Sequence, residues 1–208
     1  MSFAALIATV CTTACKIAAA VIKISVNIDI LRVIGKILGA IGEALGIIPP
    51  GKEMEEVGDK ALQAEEAGIT PDKFRNYEDY RKAVEGYETD PEKSKQYTAE
   101  QKIQKAIEYE VAALLCTYPK LPVSDIVMTV AQNHKYFTEA RVAQLGALAK
   151  DHVELLGDIA HFMQGKEKDL GKIDSTVDLL TRIEKKLDPG LSDADAQKIV
   201  MGSRIETL

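Results

Sequence analysis

The residues of this sequence best suited to chemistry lie in one short acidic stretch that holds two of the three histidines. Asp158 and His161 are three residues apart, a spacing at which a carboxylate and an imidazole on one helix can bind the same metal ion in a helical bundle. Glu154 lies four residues before Asp158 and therefore on the same helix face. The complete cluster comprises Asp151, His152, Glu154, Asp158 and His161.

A bundle metal site of this kind also requires a second carboxylate and histidine pair, with further carboxylates from other helices. Glu108 and Glu110 could supply carboxylates, but the sequence holds no second pair. We therefore interpret the cluster as a solvated acidic helix face and predict no metal site. His152 falls on the apolar side of the same helix, so we predict that it is a hydrogen-bonded histidine in the core.

The cysteines and the other nucleophiles form no recognisable catalytic site. Three cysteines, an odd number, argue against a disulfide framework. Cys11 and Cys15 have no nearby histidine or further cysteine to complete a tetrahedral metal site, so we interpret them and Cys116 as packing residues. The sequence has no glycine-framed serine or cysteine and no phosphate-binding glycine pattern. We expect a protein that has no cofactor and is not an enzyme.

The chain is organised around its N-terminal apolar stretch, because residues 2–48 carry only six charged side chains. Residues 3–22 contain a single charge, Lys16, and have about the length that crosses a hydrocarbon layer of roughly 30 Å. Polar residues recur at helical spacing within this stretch, so they form a narrow stripe on an otherwise apolar helix. The stripe consists of Thr9, Thr13, Lys16 and Lys23.

A second apolar helix is predicted from a capping residue at Asn27 or Asp29 to the stop at residues 49–51. Its apolar face is formed by Ile30, Ile34, Ile37, Leu38, Ile41, Leu45 and Ile48. Its narrow polar stripe is formed by Arg32, Lys36, Gly39, Glu43 and Gly46. Small residues four apart let helices approach closely, and they occur here as Gly35, Gly39, Gly42 and Gly46. Because four glycines weaken a helix in water by about 1 kcal/mol each, this helix needs an apolar environment or a partner.

Two interpretations of the N-terminal hairpin formed by these two helices stay open. The hairpin is either a core pair, buried by the remaining helices or by a subunit interface, or an element that enters a membrane. In the membrane, its polar residues would face a partner or a water-filled lumen. A cleavable secretory signal is not expected, because no basic residue precedes the apolar run and no small-residue cleavage site follows it.

Charge is distributed unevenly along the chain, whose net charge is −6. Residues 1–50 carry four basic and two acidic side chains, a net of +2, which leaves −8 for residues 51–208. No basic face of the kind that binds nucleic acid is evident, so we predict no nucleic-acid partner. The cationic apolar end would suit contact with anionic lipid.

Residues 51–208 are predicted to form a charged helical bundle. Aromatic residues make up only 5 % of the chain and Trp is absent, and β-branched runs between turn signals are few, all of which favours helices over strands. Capping residues, prolines and glycines place the predicted helices at about residues 52–67, 74–87, 98–118, 124–133, 138–164, 175–187 and 192–204. We interpret the helix at residues 52–67 as a solvated face. The polar residues 87–98 are predicted to form a linker.

The sequence thus predicts an all-α fold, a multi-helix bundle with an N-terminal apolar helical hairpin in residues 1–50. In layout, though not in specific residues, it resembles the pore-forming domains of colicins, in which amphipathic helices shield an apolar hairpin until it meets a membrane. In those domains, however, the hairpin lies toward the C-terminus and is almost uncharged.

We hypothesise a non-enzymatic, membrane-interacting or pore-forming and self-assembling protein that acts through this hairpin. Its partners would be membrane lipid or copies of itself in a homo-oligomer, and its location membrane-associated or cytoplasmic. The alternative is a soluble structural or adaptor subunit of a helical oligomer, with the hairpin buried in the core or the interface.

Overall fold

A computed structural model describes residues 27–205 and, before them, residues 9, 10, 12–14, 16, 17, 19 and 20. All regular structure among the described residues is helical, which confirms the predicted all-α bundle. The described residues between 9 and 20 are helical as well. The break predicted between the two apolar helices, at residues 25–27, lies outside the described residues except for Asn27, so the hairpin itself stays a prediction.

Residues 27–205 form ten α-helices and one short 3-10 helix, Pro71–Lys73. In chain order the α-helices are α1 (Ile28–Ala44), α2 (Met54–Glu66), α3 (Tyr77–Glu85), α4 (Pro91–Ser94), α5 (Ala99–Thr117), α6 (Val123–Gln132), α7 (Glu139–His152), α8 (Leu155–Met163), α9 (Leu170–Leu187) and α10 (Asp193–Gly202).

Helix α1 begins where its sequence predicts and ends earlier. The Asn27 side chain accepts a hydrogen bond from the backbone N–H of Asp29, at 2.9 Å, which caps the first turn. At the other end Gly46 has a left-handed backbone (φ 68°), and the N–H of Ile47 donates to the carbonyl of Gly42 at 2.8 Å. This is the glycine-terminated helix end. The stop predicted at residues 49–51 is therefore wrong by about one turn.

The apolar side of α1 lies at the centre of the bundle. The helix packs against α5, α6 and α7, and its buried large side chains are Leu31, Ile34, Ile37, Leu38 and Ile41. Side chains of this size each stabilise a fold by about 1.5–3 kcal/mol when they leave water. Ala14 and Ile17 are buried in the same core. The division of the chain at residue 50 stays a prediction, but the core runs across it.

Helix α2 packs along α5, and the polar segment at residues 87–98 lies against it. This segment contains α4, and the fully buried Gln63 side chain of α2 bonds the backbone of Asp90 twice. Asp90 N–H donates to Gln63 Oε1 at 2.7 Å, and Gln63 Nε2 donates to the Asp90 carbonyl at 3.2 Å. Two bonds to one backbone unit hold the start of α4 against α2.

The capping box predicted at Thr98 is confirmed. The N–H of Gln101 donates to Thr98 Oγ1 at 3.1 Å, and the N–H of Thr98 donates to Gln101 Oε1 at 2.8 Å. Ser192 likewise caps α10 as predicted, by accepting a bond from the N–H of Asp195. The start predicted at about Ser175 is wrong, because Asp169 caps α9 through the N–H of Lys172 and the helix begins at Leu170, five residues earlier.

The single long helix predicted at residues 138–164 is wrong, because the structure divides it into α7 and α8. Between them the N–H of Leu156 donates to the carbonyl of Val153, and that of Gly157 donates to the carbonyl of Glu154, so the backbone makes a tighter turn. The His152 side chain, at the end of α7, is 59 % exposed and lies 3.4 Å from Glu154. The prediction of a core histidine is therefore wrong.

Candidate functional site

The polar stripe predicted on the N-terminal apolar helix lies on its exposed side. Thr9, Thr13 and Lys16 are exposed, whereas Ala14 and Ile17 face the core. Thr13 Oγ1 donates to the backbone carbonyl of Thr9 at 2.8 Å, the usual bond of a threonine within a helix. Lys23, Cys11 and Cys15 lie outside the described residues.

The charged residues of α1 are also exposed, and each contacts a group of the same chain. Arg32 Nη2 lies 3.3 Å from Glu55 Oε1 of α2, and Lys36 pairs with Glu139 at the start of α7. The hydrogen bond from Lys36 lowers the pKa of the Glu139 carboxyl. Exposed pairs of this kind add little to stability, so they are not what holds α1 in the bundle.

Glu43, the third charged residue of the predicted polar stripe, supports the turn that follows α1. Its Oε1 accepts a hydrogen bond from the backbone N–H of Gly51 at 2.9 Å. The carboxylate thereby closes the loop that returns the chain toward α2.

The four glycines predicted on this helix have different surroundings, and one of them, Gly46, lies just beyond the end of α1. A Cβ added at Gly35 would lie 2.6 Å from the Met54 side chain, and one at Gly42 would lie 2.2 Å from the Ile48 side chain. At Gly39 the nearest atom would be Glu110 Oε1, at 3.8 Å, and at Gly46 nothing lies within 4 Å among the described atoms. Gly35 and Gly42 thus each contact a single side chain. Gly46 provides the left-handed backbone that ends α1.

Two glycines that the sequence analysis does not single out lie directly against the backbone of a neighbouring helix. A Cβ at Gly58 of α2 would lie 1.6 Å from the carbonyl oxygen of Lys102 on α5, and one at Gly146 of α7 would lie 3.1 Å from the carbonyl oxygen of Ala40 on α1. Gly58, Ala61 and Ala64 recur three residues apart and are buried. This spacing of small residues indicates that one side of α2 packs against another helix, so α2 is not only a solvated face.

Glu110 of α5 is a buried carboxyl group that faces α1. The residue is 1 % exposed, and its Oε2 has no hydrogen-bond partner among the described residues. Burial raises the pKa of this carboxyl well above its ordinary value, and the nearby charge of Glu43 raises it further. Ile103, Ile107, Glu110 and Leu114 follow helical spacing, a pattern that places Glu110 on the apolar face.

The acidic and histidine cluster that could have suggested a metal site is dispersed. Asp158 pairs with Lys172 at 3.0 Å, and His161 lies 3.4 Å from Asp125 of α6. Within the described part of the chain, no three His, Cys, Asp or Glu side chains converge as a metal would require. Partial burial raises the pKa of Asp125, but the hydrogen bonds and charges of Lys166 and His161 together outweigh it and leave that pKa lowered.

A buried ion pair joins α7 to α9. Arg141 donates from Nε to Glu184 Oε1 at 2.7 Å and from Nη2 to Oε2 at 2.6 Å. Tyr136 donates its hydroxyl to the same Oε1 at 2.8 Å, and Glu184 is 2 % exposed. Every partner that the buried carboxylate needs is therefore present, and this group is structural rather than reactive.

A cavity of about 540 Å³ lies between the ends of α1 and α5 and the start of α3. Its volume is within the range of small-molecule pockets. Three polar side chains at its rim already have partners in or next to α3. Asn76 caps the helix, Glu78 pairs with Lys82, and Arg81 lies 3.5 Å from Glu85. These three polar side chains therefore do not need a ligand to satisfy them.

Of the helices in the described residues, none combines the length and the apolar character needed to cross a membrane. Comparison of the chain with known protein families, with curated proteins and with solved structures finds no match.

Proposed function

We propose that this protein is a non-enzymatic structural or adaptor subunit of a helical assembly, with α1 in the core of its own bundle. The observation that supports the proposal is the burial of the apolar side of α1 against α5, α6 and α7. Withdrawing α1 into lipid would expose the facing sides of three helices to water, at a cost of about 25 cal/mol for each Å² of apolar surface.

The proposed surface for association is the exposed side of the N-terminal apolar helix. Thr9, Thr13 and Lys16 lie there, in a stretch whose only charge is Lys16. Threonines one turn apart allow a second helix to approach closely, and an acidic group on that helix could pair with Lys16. We propose a second copy of the chain as the partner, since residues 51–208 carry a net charge of −8.

Contact with lipid is the second candidate function. It is favoured by the length of residues 3–22, which hold one charge, and by the net charge of +2 in residues 1–50. In this candidate the N-terminal stretch contacts the membrane while α1 remains in the bundle. A mid-span Lys costs about 3 kcal/mol on insertion scales, so Lys16 would oppose deep insertion.

Native mass measurement and vesicle flotation on the wild type and on Lys16→Leu separate the two candidates. For the assembly we expect a native mass above one chain, a changed mass in Lys16→Leu, and no flotation with either anionic or uncharged vesicles. Lys198→Leu removes an equivalent exposed charge from α10 and should leave the native mass unchanged. A wild type that is monomeric at all concentrations and floats with anionic vesicles, more strongly as Lys16→Leu, would overturn the assembly proposal in favour of lipid contact.

A further inference from the structure

The contact between α1 and α5 contains a carboxyl group with an unsatisfied oxygen. Glu110 projects toward Gly39 of α1, where an added Cβ would lie 3.8 Å from Glu110 Oε1, and Glu110 Oε2 has no partner among the described residues. A buried charge without a partner is strongly unfavourable. The α1–α5 contact therefore favours the neutral carboxyl of Glu110 over the charged one.

The charged groups around this contact do not compensate a negative charge on Glu110. From α1, Glu43 is the charged side chain that acts on the carboxyl, and it has the same sign. From α2, Asp59 and Glu65 face α5 but pair with its Lys102 and Lys105, eight and five residues before Glu110. On α5 itself the neighbouring titratable groups are Tyr109 and Glu108, and Glu108 pairs with Lys105.

The charged groups of the other helices that pack against α1 either have partners other than Glu110 or are exposed, as Lys150 and Asp151 of α7 are. Asp125 of α6 pairs with Lys166, and Glu139 of α7 pairs with Lys36. No cation among the described residues is thus recorded as a partner of Glu110.

We propose that Glu110 is a proton-dependent latch between α5 and the core helix α1, which keeps α1 in place while the carboxyl is neutral and favours its separation when the carboxyl ionises. The latch goes beyond the proposed function and does not depend on it.

The direction of the pH dependence follows from the two states of the contact. Once α1 has separated, the carboxyl is in water and ionises near its ordinary pKa, whereas in the closed contact burial raises the pKa. Between these two values the closed form holds one proton more, so closure weakens as pH rises by up to about tenfold in the equilibrium constant per pH unit. Acid favours the closed latch and alkali favours the open one.

Hydrogen exchange of the α1 amides in wild type and in Glu110→Gln tests the latch. Comparing the two proteins at the same pH cancels the intrinsic dependence of exchange on pH. At pH 8 we expect the α1 amides of the wild type to exchange at least about tenfold faster relative to Glu110→Gln than they do at pH 5, in line with one proton released. Amides of α9, which lies outside the contact, should show a much smaller difference.

Two further variants test whether the effect is specific to Glu110. Glu100→Gln removes an exposed carboxylate from the same helix and should behave as the wild type does. Glu43→Gln keeps an oxygen for the Gly51 N–H but removes the like charge, so its pH dependence should end at a lower pH. If Glu110→Gln does not fold, the shift in Glu43→Gln tests the latch on its own. Equal pH profiles in wild type and Glu110→Gln, or an unshifted profile in Glu43→Gln, would overturn the proposal.

Discussion

At the scale of single residues, the packing of this bundle depends on what lies opposite each glycine. Gly58 faces a backbone carbonyl that cannot move without shifting α5, whereas Gly39 faces the end of a side chain at ordinary contact distance. Both are inside helices and have the same intrinsic cost relative to alanine. Their substitutions should therefore differ in sign.

We predict that Gly58→Ala lowers the free energy of unfolding by about 3 kcal/mol, because the added Cβ forces α2 and α5 apart. Gly39→Ala should raise it by up to about 1 kcal/mol through helix propensity. Urea denaturation followed by circular dichroism measures both. An equal effect of the two substitutions would show that the α2–α5 approach is looser than the structure indicates.

At the scale of helices, buried polar contacts hold the bundle together in addition to apolar packing. The Arg141–Glu184 pair joins α7 to α9, and the guanidinium also lies over the Tyr136 ring, 4.5 Å from its centroid. Burial raises the pKa of the Tyr136 hydroxyl, and the hydrogen bond to Glu184 raises the pKa of Arg141. Removing one partner would leave a buried charge unpaired.

Arg141→Met is predicted to lower the free energy of unfolding by about 3–5 kcal/mol, because Glu184 then remains buried without its cation. The double variant Arg141→Met, Glu184→Leu should recover much of that loss, since it removes the charge as well as the partner. Arg182→Met, at an exposed position of α9, should change stability by less than about 0.5 kcal/mol. Thermal unfolding of the four proteins measures the loss and its recovery, and a double variant no more stable than Arg141→Met would contradict this explanation.

At the scale of the whole molecule, α1 is an integral part of the core. Its buried side chains belong to one apolar cluster with residues of α5, α6, α7 and α8. An apolar helix with this position cannot be removed without leaving the facing side chains in water.

A chain that begins at Gly51 should therefore lose its cooperative thermal transition and bind hydrophobic dyes, while it keeps helical circular dichroism. A chain that begins at Asn27 retains α1 and serves as the control. It should unfold cooperatively, at a lower temperature than the full protein because it lacks Ala14 and Ile17. Cooperative unfolding of the chain that begins at Gly51 would show instead that residues 1–50 are an appended element.

The amino-acid sequence by itself determined the features that depend on neighbouring residues. Helix propensity, the Asn27, Thr98 and Ser192 caps and the apolar face of α1 all follow from interactions within a few positions of the chain. The all-α class and most helix positions could be predicted for that reason, as could the exposed stripe of Thr9, Thr13 and Lys16.

Only the tertiary structure decided what each face meets, because those contacts join residues far apart in the chain. It brings Gly58 against the Lys102 carbonyl, pairs Arg141 with Glu184 and places Glu110 opposite Gly39, and no local pattern specifies such partners. The break between α7 and α8 contains no glycine or proline, so the local sequence does not predict it. Asp158 and His161, which share a helix face in the sequence, contact Lys172 of α9 and Asp125 of α6, because the fold places a lysine and a carboxylate from other helices beside them.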